Sequence, residues 1–415
     1  MVAPFLPDDE KVAAVREALP ALAAGIYLNT GSVGPLPAET AAAMAEIADH
    51  ELRFGRASMA DWDDFLERLA EARAAVAAII GADVDEVAIT HSTTAGLNAA
   101  ISSVDLRPGD RILTTEAEHA GGFGAIHAAA ARTGADVAVV DVTDPADAAD
   151  DDAVVARFES ALSRATRVVA VSDVLWTTGA RLPIAGLAEL AHARGAVVVV
   201  DGAQAAGAVP VNVGDLGVDF YSVPGQKWLL GPEGTGALWA SPSATAAGRV
   251  SLGSAFSYER ADEGGAVPWP DARRFDEPGH FRAAITGLAR SCGWLSMYVG
   301  LPWIHARGAA MARRAADRLA AIRGVELLTP RYRMATLVTF RVDGWTSDAA
   351  LAEIAGRTFA IARTVPPLDA IRLSIGFFTT ADEIERVATV VELLAAHTPD
   401  TLPKRPKLTI IDAAG

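Results

Sequence analysis

Cysteine is the scarcest feature of the sequence. Cys292 is the single one among 415 residues, which excludes an intrachain disulfide framework and any multi-cysteine metal site. Basic residues are also few: 36 Lys and Arg stand against 52 Asp and Glu, a formal net charge of -16. That field repels a phosphate backbone and no Lys/Arg run offsets it, so nucleic acid is not an expected partner. Strongly apolar runs, such as residues 196–200, fall far short of the ~20 residues that a membrane-spanning helix needs. The first ten residues lack the basic start and apolar stretch of a secretory signal. A reducing cytoplasm, with no membrane partner, is the expected location.

What is present is apolar and alanine-rich. Hydrophobic residues make up 51% and charged ones 21%, a balance that excludes disorder for the bulk of the chain, and the length of 415 residues favours two or three domains. Residues 87–90, 111–114, 137–140, 168–171 and 197–200 read as short, fully buried strands. Between them lie stretches with helical spacing; in 183–194, Ile184, Leu187, Leu190 and Ala191 share a face. Strands without alternation, interleaved with amphipathic helices, predict an α/β fold with a mainly parallel sheet covered on both faces. The acidic stretch 144–152 reads as a solvated loop.

A Gly/Pro-rich passage over 231–278 separates this region from the C-terminal third of the chain. Residues 287–319 read as largely helical. Strands near 335–341 and 371–375 and helices near 349–356 and 381–397 then predict a smaller α+β domain. The expected division is an N-terminal segment, 1–25, packing on the small domain, a large α/β domain, 26–280, and a small domain, 281–415. No internal repeat or long linker is evident.

Chemistry concentrates in two neighbouring segments. Val197-Val-Val-Val-Asp201-Gly-Ala-Gln204 ends a buried strand in a carboxylate. Asp219-Phe-Tyr-Ser-Val-Pro-Gly-Gln-Lys227-Trp-Leu-Leu-Gly then delivers a lysine into a glycine-lined turn. Burial disfavours the charged amine, which is what a Schiff-base lysine needs. A carboxylate at the preceding strand end suits a protonated pyridine nitrogen.

With these residues the sequence resembles the fold-type I, class V group of pyridoxal-phosphate enzymes, which includes cysteine desulfurases, isopenicillin N epimerase-like proteins and ergothioneine-pathway C–S lyases. The resemblance runs from about Tyr27 to Glu392. It implies that Lys227 carries pyridoxal 5'-phosphate, that Asp201 pairs with the pyridine nitrogen and that Gln204 sits near the phenolic oxygen. Thr90-His-Ser-Thr-Thr94-Ala-Gly-Leu-Asn98 matches the phosphate loop, with Thr93 and Thr94 as binding residues; a helix N-terminus suits a dianion. Glu118-His119 matches the pair whose imidazole stacks on the cofactor ring. Asn29, in Asn-Thr-Gly-Ser32, matches the substrate side, and Arg372 matches the arginine that grips the α-carboxylate. A homodimer with interfacial active sites is also implied.

Departures accompany the matches. Pro224 stands where Ser or Thr usually donates to phosphate, and Gln226 replaces a frequent His just before the lysine. Asp173 replaces an Asn, an anion expected to point elsewhere or to alter cofactor electronics. The segment 274–280 lacks the threonine with which desulfurases reach the neighbouring subunit's phosphate. No cysteine lies between Arg341 and Ile371, where a desulfurase keeps its nucleophile, so persulfide-forming desulfuration is disfavoured.

The expected function is Cα deprotonation of an amino acid held as an external aldimine. The Asn-Thr-Gly-Ser start and the missing cysteine favour the isopenicillin N epimerase-like subgroup, as an epimerase or C–S lyase. A class V aminotransferase, or a non-catalytic protein of this fold, is the alternative. Gly121-Gly-Phe-Gly124 lacks the full dinucleotide fingerprint. Glu118, His119 and His127 lack zinc spacing, so no metal is expected.

Overall fold

A computed structural model describes residues 8–143, 150–250 and 252–405. Seven strands form the main sheet: β1 (Val87–Thr90), β2 (Arg111–Thr115), β3 (Asp136–Val140), β4 (Thr166–Ser172), β5 (Val197–Asp201), β6 (Phe220–Pro224) and β7 (Gly236–Ala240). Their spatial order is β1-β7-β6-β5-β4-β2-β3. β3, β2, β4, β5 and β6 run parallel, whereas β7 is antiparallel to both of its neighbours. The mainly parallel α/β sheet expected from the sequence is therefore present.

The lack of alternation in the strands has a direct cause. Val198 and Val200 enter one hydrophobic core and Val199 enters another on the opposite face; Val169 and Val171 divide from Val168 and Ala170 in the same way. Both faces are covered, so every position is apolar. The longer helices are α1 (Asp8–Glu17), α2 (Ala38–Phe54), α3 (Met59–Ile80), α4 (Thr93–Ser103), α5 (Ala120–Thr133), α6 (Asp151–Ala161), α7 (Ile184–His192), α8 (Arg282–Gly293), α9 (Leu301–Ala320), α10 (Ser347–Thr358) and α11 (Ala381–Ala395).

Two sequence expectations need correction. The passage 231–278 is not merely a separator: it contains β7, whose five residues are all buried, and a hairpin of Tyr258–Asp262 with Gly265–Pro268. The flanking turn residues Pro232, Gly234 and Pro242 hid the short apolar run of β7. The stretch 144–152 is not all loop. Residues 144–149 lie outside the described ones, but the Asp150 side chain caps α6 by accepting from the Asp152 amide. Acidic residues are stabilising at a helix N-terminus, where the first amides are unpaired.

A second, antiparallel sheet comprises β8 (Val325–Leu327), β9 (Leu337–Val342), β10 (Arg363–Val365) and β11 (Ala370–Ser374), in the order β8-β9-β11-β10. Its core takes Ala312, Ala315 and Leu319 from α9 and Ile384, Val387 and Val391 from α11. Ile26 and Leu28 join that core, and Ile26–Tyr27 pairs in parallel with Ala360–Ile361. α8, by contrast, packs on α2 and α3 and places Ile285, Leu288 and Cys292 in the large core. The π-helical turn Trp294–Val299 and Gly300 then lead from α8 into α9, which packs on the second sheet. In the N-terminal segment, Val15 and Leu19 enter the large core, while Arg16 pairs with Glu383 of α11.

Candidate active site

β5 and β6 end side by side, with Asp201 in register with Ser222. In parallel sheets ligands bind outside the carboxyl ends of strands, and a cavity of about 240 Å³ opens there. Lys227, Asp201, His119, Thr93, Thr94, Gln204, Gln226 and Arg372 all line it. Asn29 does not: its side chain accepts from Ser32 Oγ (2.9 Å) and its backbone bridges to Ser374. Its neighbours Gly31 and Ser32 form the wall instead.

The lysine turn is tightly tied. The Gly225 amide donates to Thr235 O (2.8 Å), the Gly231 amide to Gly225 O (2.8 Å) and the Gly34 amide to Gln226 O (2.7 Å). Burial, assisted by Arg372 and Arg363, lowers Lys227 to about 8, while Asp201 works in the opposite direction. Asp201 is itself raised, first by burial, against Lys227 and the Ala203 amide, which donates to Oδ1 at 2.8 Å.

At the other end stands the N-terminus of α4. Ser92 caps it by accepting from the Ala95 amide. Ser222 Oγ of β6 donates to Thr93 O (2.9 Å), so the sheet fixes where the helix begins. Gly96 permits this approach: a Cβ there would lie 2.2 Å from Ser222 Oγ. Thr93 Oγ1 is buried without a partner.

His119 caps α5, its Nδ1 accepting from the Gly121 amide at 3.1 Å. Burial lowers its proton affinity further, with Lys227 contributing. A neutral imidazole with its proton on Nε2 is the result. The Trp176 ring meets it edge-on, with centroids 5.5 Å apart. Gln204 Nε2 donates to Gly31 O (2.8 Å) and Oε1 accepts from Trp228 Nε1 (2.9 Å), which leaves one amide N–H for a ligand.

Arg372 is fully buried, and its Nη1 donates to Trp176 O (2.8 Å). Its Nε and Nη2 have no acceptor. Burial lowers this guanidinium to about 9, with Arg363 adding to the effect. Such unmet donors are costly and suit an incoming carboxylate.

The departures also resolve. Asp173 points away from the cavity and accepts from Arg181 Nε (3.0 Å) and Tyr221 OH (2.8 Å). Pro224 lines the cavity and offers no N–H. Asp276 of the 274–280 segment pairs with Arg73, and His280 stacks on His91 with centroids 4.4 Å apart. Cys292 is fully buried and pushed up to about 12, which makes it inert at neutral pH.

Sequence reasoning missed Trp176 and Arg363, both of the cavity wall. Trp176 follows β4 by four residues, so the strand-end rule that singled out Asp201 applied there too. Arg363 lies on a three-residue strand, too short to show a period.

Comparison with known proteins gives the family. The family model for class V aminotransferases matches residues 26–387. Isopenicillin N epimerase of Streptomyces clavuligerus is 31% identical over 395 residues, covering 90% of this chain and 95% of that protein. A probable cysteine desulfurase of Methanothermobacter thermautotrophicus is 27% identical, covering 92% and 97%. Among solved structures, a lysine-to-alanine mutant of C-DES with glycine covalently linked to its PLP cofactor superposes with TM-score 0.85 at 25% identity, over 91% and 98% of the two chains. The complex of the cystine C–S lyase C-DES with cysteine persulfide gives 0.84 at 26% identity, over 90% and 99%. On the family match, which spans both domains, the chain belongs to the class V aminotransferases.

Proposed function

We propose that the protein is a pyridoxal-phosphate-dependent enzyme that removes and redirects the Cα proton of an amino acid, as an epimerase or a C–S lyase. The observation that carries this reading is a buried lysine, held near neutrality, in one cavity with Asp201, His119 and the unsatisfied guanidinium of Arg372.

The cavity fits the cofactor. The unpaired hydroxyl of Thr93, the side chain of Thr94 and the first amides of α4 would hold its phosphate. Asp201 would hold the pyridine nitrogen protonated, His119 would cover one ring face and Gln204 and Gln226 would line the edge. When bound, pyridoxal phosphate supplies an electron sink that acidifies the Cα–H bond.

The remaining steps belong to side chains. Arg372 binds the α-carboxylate through Nε and Nη2 and fixes the orientation of Cα. Lys227, displaced by the substrate amine, is left as a neutral base and accepts the Cα proton. A pKa near 8 keeps it competent at physiological pH. Return of a proton on the other face gives the opposite enantiomer; loss of a β-thiol group gives C–S cleavage. Identity to isopenicillin N epimerase supports the first and likeness to the cystine C–S lyase supports the second. Persulfide transfer through a cysteine of this chain is disfavoured, because Cys292 is buried and inert.

A homodimer is part of the proposal. Met59, Trp62 and Phe281 are exposed along one groove and suit a second copy. Light scattering should return twice the chain mass. The cytoplasmic location rests on composition alone; among the described residues no helix is long and apolar enough to cross a membrane.

The test is product analysis in deuterated water with L- and D-amino acids and cysteine S-conjugates. The proposal expects Cα deuterium with inversion, or pyruvate, ammonia and a sulfur product. Absence of both Cα exchange and elimination products from every substrate overturns it.

A further inference from the structure

Arg363 and Arg372 face each other directly across the β10–β11 pair, and both reach the cavity. Like charges directly opposite on paired strands are destabilising, so this placement calls for an anion. Other buried arginines in the fold have theirs: Arg73 pairs with Asp276, and Arg282 lies among Glu51, Asp61 and Asp64. Among the described residues neither cavity arginine has a carboxylate partner. Arg363 Nη1 reaches only Ser32 Oγ, at 3.4 Å, and Nε donates to Thr364 O (3.1 Å). Its guanidinium lies 5.3 Å from the centre of the Trp176 ring, which holds it in the wall.

Two guanidinium groups, of Arg363 and Arg372, and the amine of Lys227 face one lining carboxylate, Asp201. Under the proposed function the cofactor phosphate belongs at the α4 terminus and Asp201 is engaged by the pyridine nitrogen. The substrate α-carboxylate satisfies Arg372, which is the deeper of the two. Arg363, half-buried beside Ser32, then remains without a counter-charge.

Resting on that reading, we infer that the substrate carries a second carboxylate, on its side chain, and that Arg363 is the residue that binds it. The substrate class is a dicarboxylic amino acid, or an amino acid whose side chain ends in a carboxylate. A hydrogen-bonded charge pair of this kind discriminates an acid from its neutral amide by about 10- to 100-fold.

Two measurements test this. In the first, Cα exchange in deuterated water is followed for acid and amide pairs, L-aspartate with L-asparagine and L-glutamate with L-glutamine. The wild-type holoenzyme should favour the acid by at least ~10-fold in kcat/KM. Arg363→Gln should cost the acid at least ~10-fold more than the amide, so that the preference is lost, and Arg363→Lys should restore part of it. Equal handling of acid and amide by the wild type, or an equal loss on both in Arg363→Gln, overturns the inference; the latter result would mean that both arginines hold the α-carboxylate.

The second measurement needs no turnover. Calorimetry compares glutarate with its monoamide on the holoenzyme and on Arg363→Gln. Tighter glutarate binding that depends on Arg363 sustains the inference even if no amino acid exchanges its Cα proton, in which case the proposed reaction alone falls. Equal binding of diacid and monoamide overturns the inference whatever the reaction.

Discussion

Asp201 ends β5 and Lys227 lies in the turn that follows the adjacent parallel strand β6, and the two hold each other towards the charged state while burial pushes both towards neutrality. For the lysine, burial wins, and its value settles near 8. Under the proposed function this opposition leaves an amine that gives up its proton more readily than an ordinary lysine, beside a buried carboxylate.

Cofactor capture should depend on pH through this lysine. A free amine must attack the aldehyde, so capture by apoprotein should accelerate as pH rises and level off near 8. An ordinary lysine would keep accelerating to about 10.4. Asp201→Asn should move the plateau lower, since it removes the carboxylate that raises Lys227. It should also cut kcat by about 10²- to 10⁴-fold, the usual range for a lost proton-holding group. Stopped-flow absorbance across pH 6–11 checks the first outcome and Cα exchange the second.

Gly96 sets how closely α4, whose first residues line the cavity, approaches β6. Gly96→Ala would press a Cβ onto Ser222 Oγ and lift α4 from β6, and with it Thr93 and Thr94. Cofactor affinity should fall at least ~10-fold, about 1.4 kcal/mol, with the circular dichroism spectrum unchanged. Fluorescence titration with pyridoxal phosphate reads the loss.

Glu118 lies beneath the site and accepts from Thr115 Oγ1 (2.5 Å) and from Ser172 Oγ (2.5 Å). Burial raises it to about 7. The folded protein therefore binds more protons than the unfolded chain between the unfolded value, about 4.3, and 7, so this group's contribution to stability falls as pH rises through that window. Its full effect is on the order of 3 kcal/mol. In Glu118→Gln the decline should vanish, so that Tm of variant minus wild type grows from pH 4.5 to 7.5. A constant difference would contradict the assignment.

Arg73 and Asp276 tie α3 to the segment that underlies β1, with Asp276 Oδ1 also accepting from the Ile89 amide (2.8 Å). Asp276→Ala leaves a buried guanidinium unpaired and should cost about 3–5 kcal/mol, read as a lower midpoint in urea. Arg73→Ala should cost a similar amount, and the double variant less than the sum of the two.

Much of the fold, and most of the residues that line the candidate cavity, were legible in the sequence. Val198, Val199 and Val200 announce a strand buried on both faces, and Asp201 at its end announces the ligand side of the sheet. Lys227 was readable because glycines and apolar residues surround it in the chain itself. β7 was not, because its apolar residues sit between prolines and glycines that dominate the local pattern. Arg363 was hidden for another reason: its meaning lies in strand pairing with Arg372, a tertiary relation without a local period. Asn29 misled by proximity, since the chain turns so that Gly31 and Ser32, rather than Asn29, reach the cavity.

The central claim is that Lys227 anchors pyridoxal phosphate, and reductive trapping tests it most directly. Protein loaded with the cofactor is reduced with borohydride, digested and mapped by mass. The expected result is loss of the absorbance band near about 420 nm typical of a protonated Schiff base and a phosphopyridoxyl adduct on the peptide containing Lys227, absent in Lys227→Ala. An adduct on another lysine, or none after saturation with the cofactor, would contradict the claim.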